Sequence, residues 1–180
     1  ESMLLATTTA SRNPREGLDF FPLTVDVEER MYAAGQIPGG FFRREGRPTE
    51  GAILTSRLTD RGLRPLFPDG MRSDVQIIAT ALSTDQESQI DILCMIGASA
   101  ALAISGIDFP TPLGSMRVGL SQDDEWVVYP THSEEDELVL DLVVSSTRDH
   151  VMMIEAGGDG VDEETIVEGC AVAQEQCWRV

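Results

Sequence analysis

With 180 residues, 42% of them hydrophobic, the chain is long enough to bury a core as one domain. No apolar run is long enough to span a membrane, and the opening Glu1-Ser2-Met3-Leu4 lacks the basic start of a secretory signal. The net charge of −18 argues at first sight against a nucleic-acid partner, but its distribution weakens that exclusion.

All 13 basic residues are arginine. Eight of them (Arg30, Arg43, Arg44, Arg47, Arg57, Arg61, Arg64 and Arg72) fall between positions 30 and 72. That window holds four acids (Glu45, Glu50, Asp60 and Asp69), so it carries +4 and leaves −22 on the rest. One basic island in an acidic body confines an anionic ligand to a single face. Cys94, Cys170 and Cys177 form no CxxC pair, so they read as free thiols in a reducing compartment, which fits the cytoplasm.

In chain order, Met3 to Thr9 reads as a strand entered in mid-element, which suggests a piece of something longer. A turn at Asn13-Pro14 leads to a second strand, Leu23 to Val27, expected to pair with the first. From Ala33 to Pro48, four glycines and two prolines break any regular element, and Phe41, Phe42, Arg43, Arg44 and Arg47 are interleaved among them. Thr49 then caps a helix with an apolar stripe at Ala52, Ile53, Leu54 and Leu58, ending near Gly62 or before Pro65. Arg57, Arg61 and Arg64 share one face if the helix runs that far. Val75 to Leu82 is a strand. Ile90 to Ser105 is apolar nearly all round and predicts a central core helix, kept thin by Gly97-Ala98-Ser99-Ala100. A hairpin (Ser115 to Leu120, Glu125 to Tyr129) and two strands (Leu138 to Val144, Val151 to Glu155) follow. Gly157 to Gly160 breaks the chain before a last helix, Asp162 to Trp178. The order predicts an α+β, or mixed α/β, domain with a sandwiched helix.

The Gly-rich loop 33–48 is the most informative stretch. Adjacent aromatics beside guanidiniums suit single-stranded RNA, whose bases stack and whose phosphates take Arg donors. The same residues would also serve to pin the loop to the body. Arg57, Asp60, Arg61 and Arg64 present donors suited to a phosphate, or else form a salt-bridged helix surface. His132 and His150 have no carboxylate arranged as a metal-ligand motif, Glu134 to Glu137 reads as a solvated turn or helix start, and no nucleophile–base set is visible.

The blocks Asp19 to Asp26, Tyr32 to Gly35, Ile37-Pro38-Gly39, Phe41 to Pro48, Arg57 to Pro68, Met95 to Leu102 and Asp141 to Val144 resemble the bacterial polynucleotide phosphorylase family, at the first of its two RNase PH-like core domains. The resemblance covers essentially the whole chain, 1–180, and implies that it is truncated at its N-terminus. It implies an RNase PH-like sandwich, related to ribosomal protein S5 domain 2, with a buried central helix. It implies a ring-shaped homotrimer that degrades mRNA from the 3′ end with inorganic phosphate, releasing nucleoside diphosphates. Phe41, Phe42, Arg43 and Arg44, with Arg47 in the same loop, match the RNA motif of the channel aperture. Arg57 and Arg61 match arginines that reach the active site across the domain interface, and Arg64 is a further anion-binding candidate. No catalytic set is complete in this chain. The Mg²⁺ site and the phosphate-binding serines are expected in the second core domain, and no metal here. Further expected partners are KH and S1 domains and a degradosome endonuclease or helicase. A non-catalytic scaffold domain with weak RNA contact is the alternative. Gly62 stands where the family has proline, which is expected to loosen the helix end and leaves the placing of Arg64 open.

Overall fold

In the computed structural model, residues 2–14, 17–39, 45–158 and 160–179 are described. Two sheets are assembled from strands whose patterns differ. β1 (Met3–Ala10) and β2 (Leu23–Glu29) alternate between an inner and an outer face, as expected for strands covered on one side only. β3 (Val75–Ser83) lies between them, so the three-stranded sheet has the order β1-β3-β2. β1 runs antiparallel to β3 with Leu5 opposite Thr80, and β2 runs parallel to β3 with Val25 opposite Ile77. The expected pairing of β2 with β1 is therefore corrected. A long connection through α1 (Glu50–Leu63) turns β2 and β3 into a parallel pair, which a tight hairpin could not join.

The second sheet has the order β5-β4-β6-β7 and is antiparallel throughout: β4 (Gly114–Ser121), β5 (Trp126–Val128), β6 (Leu138–Ser146) and β7 (Val151–Gly158). β7 extends through Gly157 and Gly158, where the sequence predicts a break, because both glycines keep their places opposite Asp141 and Leu140. A one-turn helix, α3 (His132–Glu135), precedes β6 and is closed by a capping box between Thr131 and Glu134.

α2 (Ile90–Ser105) has the predicted bounds and packs against β1 and β3 on one side and β4 on the other. A Cβ at Gly97 would stand 3.1 Å from Leu4 and 3.2 Å from Ala6, so the glycine permits the close approach to β1. Ile92, Met95, Ala98 and Leu102 are buried, but the last turn emerges and Ile104 is 88% exposed. Leu63, Ile77, Ala98, Leu102, Phe109 and Leu113 form the core between the sheets. α4 (Glu163–Cys177), capped by Asp162, covers the far face of the second sheet over Met116, Val118, Leu142 and Val144.

Candidate functional site

α1 positions the arginines. Its N-cap Thr49 accepts from the Ala52 N–H at 3.0 Å and donates its hydroxyl proton to Glu29 at the end of β2. The helix stays regular through Gly62, so the expected loosening there does not occur. Gly62 is buried, and a Cβ would sit 2.9 Å from Leu113 and 3.4 Å from the Ser145 hydroxyl, so the close packing of α1 depends on its absence.

Arg57 and Arg61, one turn apart, border a cleft of about 640 Å³ between α1, the start of α2, α3 and the second sheet. Both are exposed. Arg57 has no ion-pair partner among the described residues. Arg61 donates to the Glu155 carboxylate on β7 and, at 3.4 Å, to the Ile154 carbonyl. Arg64 lies past the end of α1, in a 3-10 turn over Arg64–Leu66. Its Nε and Nη2 bind the Asp60 carboxylate at 2.9 and 2.6 Å, while Nη1 and Nη2 donate to the Phe21 and Leu23 carbonyls at 2.9 and 3.3 Å. Its guanidinium also stands 5.7 Å from the Phe21 ring centre. These contacts tie the entry to β2 onto α1 and use four of the five N–H donors of the guanidinium.

The floor of the cleft holds a feature without a sequence signature. The Arg117 guanidinium, on β4, is met by three carboxylates: Glu135 at 2.8 Å, Asp91 at 2.9 Å and Asp141 at 3.6 Å. Only 11% of the Arg117 side chain is exposed. Its Nε and the Asp141 Oδ1 are buried without hydrogen-bond partners among the described residues. Burial pushes the Asp141 carboxyl up, the charges of Glu135 and Asp91 add to this, and Arg117 opposes it. Burial acts the same way on Glu135, but the Gln89 hydrogen bond and the charges of Arg117 and His132 bring it below the ordinary glutamate value. His132 Nδ1 lies 3.4 Å from the Glu135 carboxylate, a neighbour the sequence reading missed because the pair is made by the short α3.

Among the described residues, no group of three or more His, Cys, Asp or Glu side chains is arranged to hold a metal ion. The carboxylates of the cleft floor do not fit Mg²⁺, since a guanidinium already occupies the point on which they converge. Phe41, Phe42, Arg43 and Arg44 lie outside the described residues. Arg47 is exposed and has no ion-pair partner among the described residues. The stem of its loop is held at two places: the Met31 N–H donates to Glu45 at 2.8 Å, with Arg30 3.5 Å from the same carboxylate, and Glu29 takes the Thr49 proton.

Two sheets enclosing a core helix, with an arginine-bearing helix at the edge of a charged cleft, define an α+β domain. The sequence model of the 3′ exoribonuclease family, domain 1, matches residues 1–108, and that of domain 2 matches residues 111–176. The chain belongs to the 3′ exoribonuclease family. It is 56% identical over 176 residues to the polyribonucleotide nucleotidyltransferase of Alkaliphilus oremlandii, covering 98% of this chain and 25% of the relative. The enzymes of that name from Finegoldia magna and Clostridioides difficile are 51% and 50% identical over all 180 residues, with 25% and 26% of their lengths covered. The chain thus spans about a quarter of the curated relatives it matches.

Proposed function

We propose that residues 1–180 form the first RNase PH-like core domain of a phosphate-dependent 3′-to-5′ exoribonuclease, a polyribonucleotide nucleotidyltransferase acting in mRNA degradation. The observation that carries the reading is the pair Arg57 and Arg61, two exposed cations one helical turn apart at the edge of a cleft in a chain of net charge −18. Phosphate is already a nucleophile. In phosphorolysis its oxygen attacks the 3′-terminal phosphorus, the bond to the penultimate O3′ breaks, and a nucleoside diphosphate leaves with the shortened RNA. The protein's task is to position anions and neutralise their charge, which guanidiniums do without losing a proton.

In this assignment Arg57 and Arg61 hold RNA phosphates or the attacking phosphate, and Arg64, which also fixes the end of α1, is a further anion contact. Phe41 and Phe42 stack on bases, and Arg43, Arg44 and Arg47 take the backbone. The second core domain supplies the Mg²⁺ site and the phosphate-binding serines. The assembly is a cytoplasmic homotrimer with KH and S1 domains, and a degradosome endonuclease or helicase is its partner. Among the described residues no helix is long and apolar enough to cross a membrane.

The test is binding of a single-stranded RNA to the full-length protein with Arg57 and Arg61 both replaced by alanine. Loss of two phosphate contacts makes the salt slope shallower by about 1.4. Formation of ADP from poly(A), phosphate and Mg²⁺ should fall in parallel. Unchanged affinity and slope would favour a scaffold domain instead.

A further inference from the structure

Arg57 and Arg61 occupy one face of one helix, yet among the described residues Arg61 alone of the two has an ion-pair partner. Its partner comes from elsewhere: Glu155 lies on β7, 94 positions along the chain, at the outer edge of the second sheet. Both side chains remain about half exposed, 53% and 54%, and both border the same cleft. We propose that Glu155 is an internal competitor for the anion at Arg61, a residue that sets affinity at the site without touching the anion itself. This inference rests on the anion-binding role assigned above to Arg57 and Arg61.

The argument is one of magnitudes. An ion pair this exposed gives at most about a fivefold preference for the closed arrangement, because water and salt screen it and two long side chains lose freedom in making it. Any anion at Arg61 must displace the tethered carboxylate and loses that factor, a lone monoanion as much as a chain phosphate. A polynucleotide still binds, since its neighbouring phosphate is held at Arg57 and the second contact becomes intramolecular. The pair therefore lowers the affinity of every anion at Arg61. The Ile154 carbonyl, 3.4 Å from Arg61 Nη2, is a second contact with β7 that does not depend on the carboxylate.

The experiment is a double-mutant cycle on the full-length protein, using Glu155→Gln, Arg61→Ala and the combination. Binding of a short single-stranded oligonucleotide and of acetate is measured across a salt series. Glu155→Gln is expected to tighten oligonucleotide binding by up to about fivefold and to lower the concentration at which acetate competes. In the Arg61→Ala background the same substitution should do nothing, since the arginine it would release is absent. Equal tightening in both backgrounds would show a long-range field effect of one removed charge and overturn the proposal. No tightening, with Arg61→Ala still weakening RNA, would overturn it while leaving the site assignment standing. No effect of Arg61→Ala on RNA would remove the assignment and the proposal together.

Discussion

Replacing Arg117 by methionine tests the cleft floor most directly. The substitution keeps the aliphatic stem and removes the cation, leaving Asp91, Glu135 and Asp141 facing one another. Removing one partner of a buried ion pair costs about 3–5 kcal/mol, because the remaining charge has lost its compensation. Asp91 is 13% exposed here, but Glu135 and Asp141 are 33% and 30% exposed and recover part of their hydration, which places the cost near about 3 kcal/mol. With a urea m-value of about 2 kcal/mol/M, the unfolding midpoint falls by about 1.5 M at pH 7. The penalty depends on pH. Without Arg117 the Asp141 carboxyl, already raised by burial, loses the cation that opposes the rise and holds its proton more tightly in the folded state, so the variant gains stability relative to its unfolded chain as pH falls. In the parent, Glu135 is depressed and contributes stability that is present above its unfolded value and lost on acidification. Both effects shrink the difference between parent and variant as pH drops from 7 toward 4. Urea titrations at several pH values measure this. A loss below about 1 kcal/mol at pH 7, or a penalty independent of pH, would refute the electrostatic account of the floor.

Gly62→Ala forces a methyl group to within 2.9 Å of Leu113 and should cost about 1–3 kcal/mol, most of it recovered when Leu113→Ala makes room. Thermal melts of the two single variants and the double variant check this. The Cys94 thiol is pushed up to about 12 by burial, with Asp91 and Glu29 adding to it, so in native protein at pH 8 it should be the last to react with a thiol reagent. Cys170 is only partly buried and should react first, as peptide mapping of the labelled protein would show. Early labelling at Cys94 would mean that the packing between α2 and the first sheet opens readily.

Residues with a short-range signal could be read from the sequence. Thr49 as a cap, the bounds of α2 and the hairpin at Ser121 to Asp124 each depend on neighbours a few positions away, and each appears as expected. The pairing of β2 did not yield to the same reasoning, since consecutive strands usually pair and only the path of the intervening chain decides otherwise. Arg57 and Arg61 stood out by spacing, and the structure places both at one cleft. Their different states were not legible, because Glu155 arrives through the sheet register. Arg117 is the clearest case of a hidden residue. A single arginine within an apolar strand has no periodicity to mark it, and its partners come from positions 91, 135 and 141. The one available clue was a charge amid buried neighbours, Met116 and Val118.

The ties at the stem of the loop between β2 and α1 bear on how this chain can vary. Glu29 reaches Thr49 from the outgoing leg, and Glu45 reaches Arg30 and Met31 from the returning one. With both legs tied there, the intervening segment is insulated from the register of β2 and the start of α1. Doubling its length would cost only about 0.6 kcal/mol of closure entropy. Changes of length within that segment would therefore leave the sheet and helix beneath it in place, so its RNA contact can be altered apart from the fold.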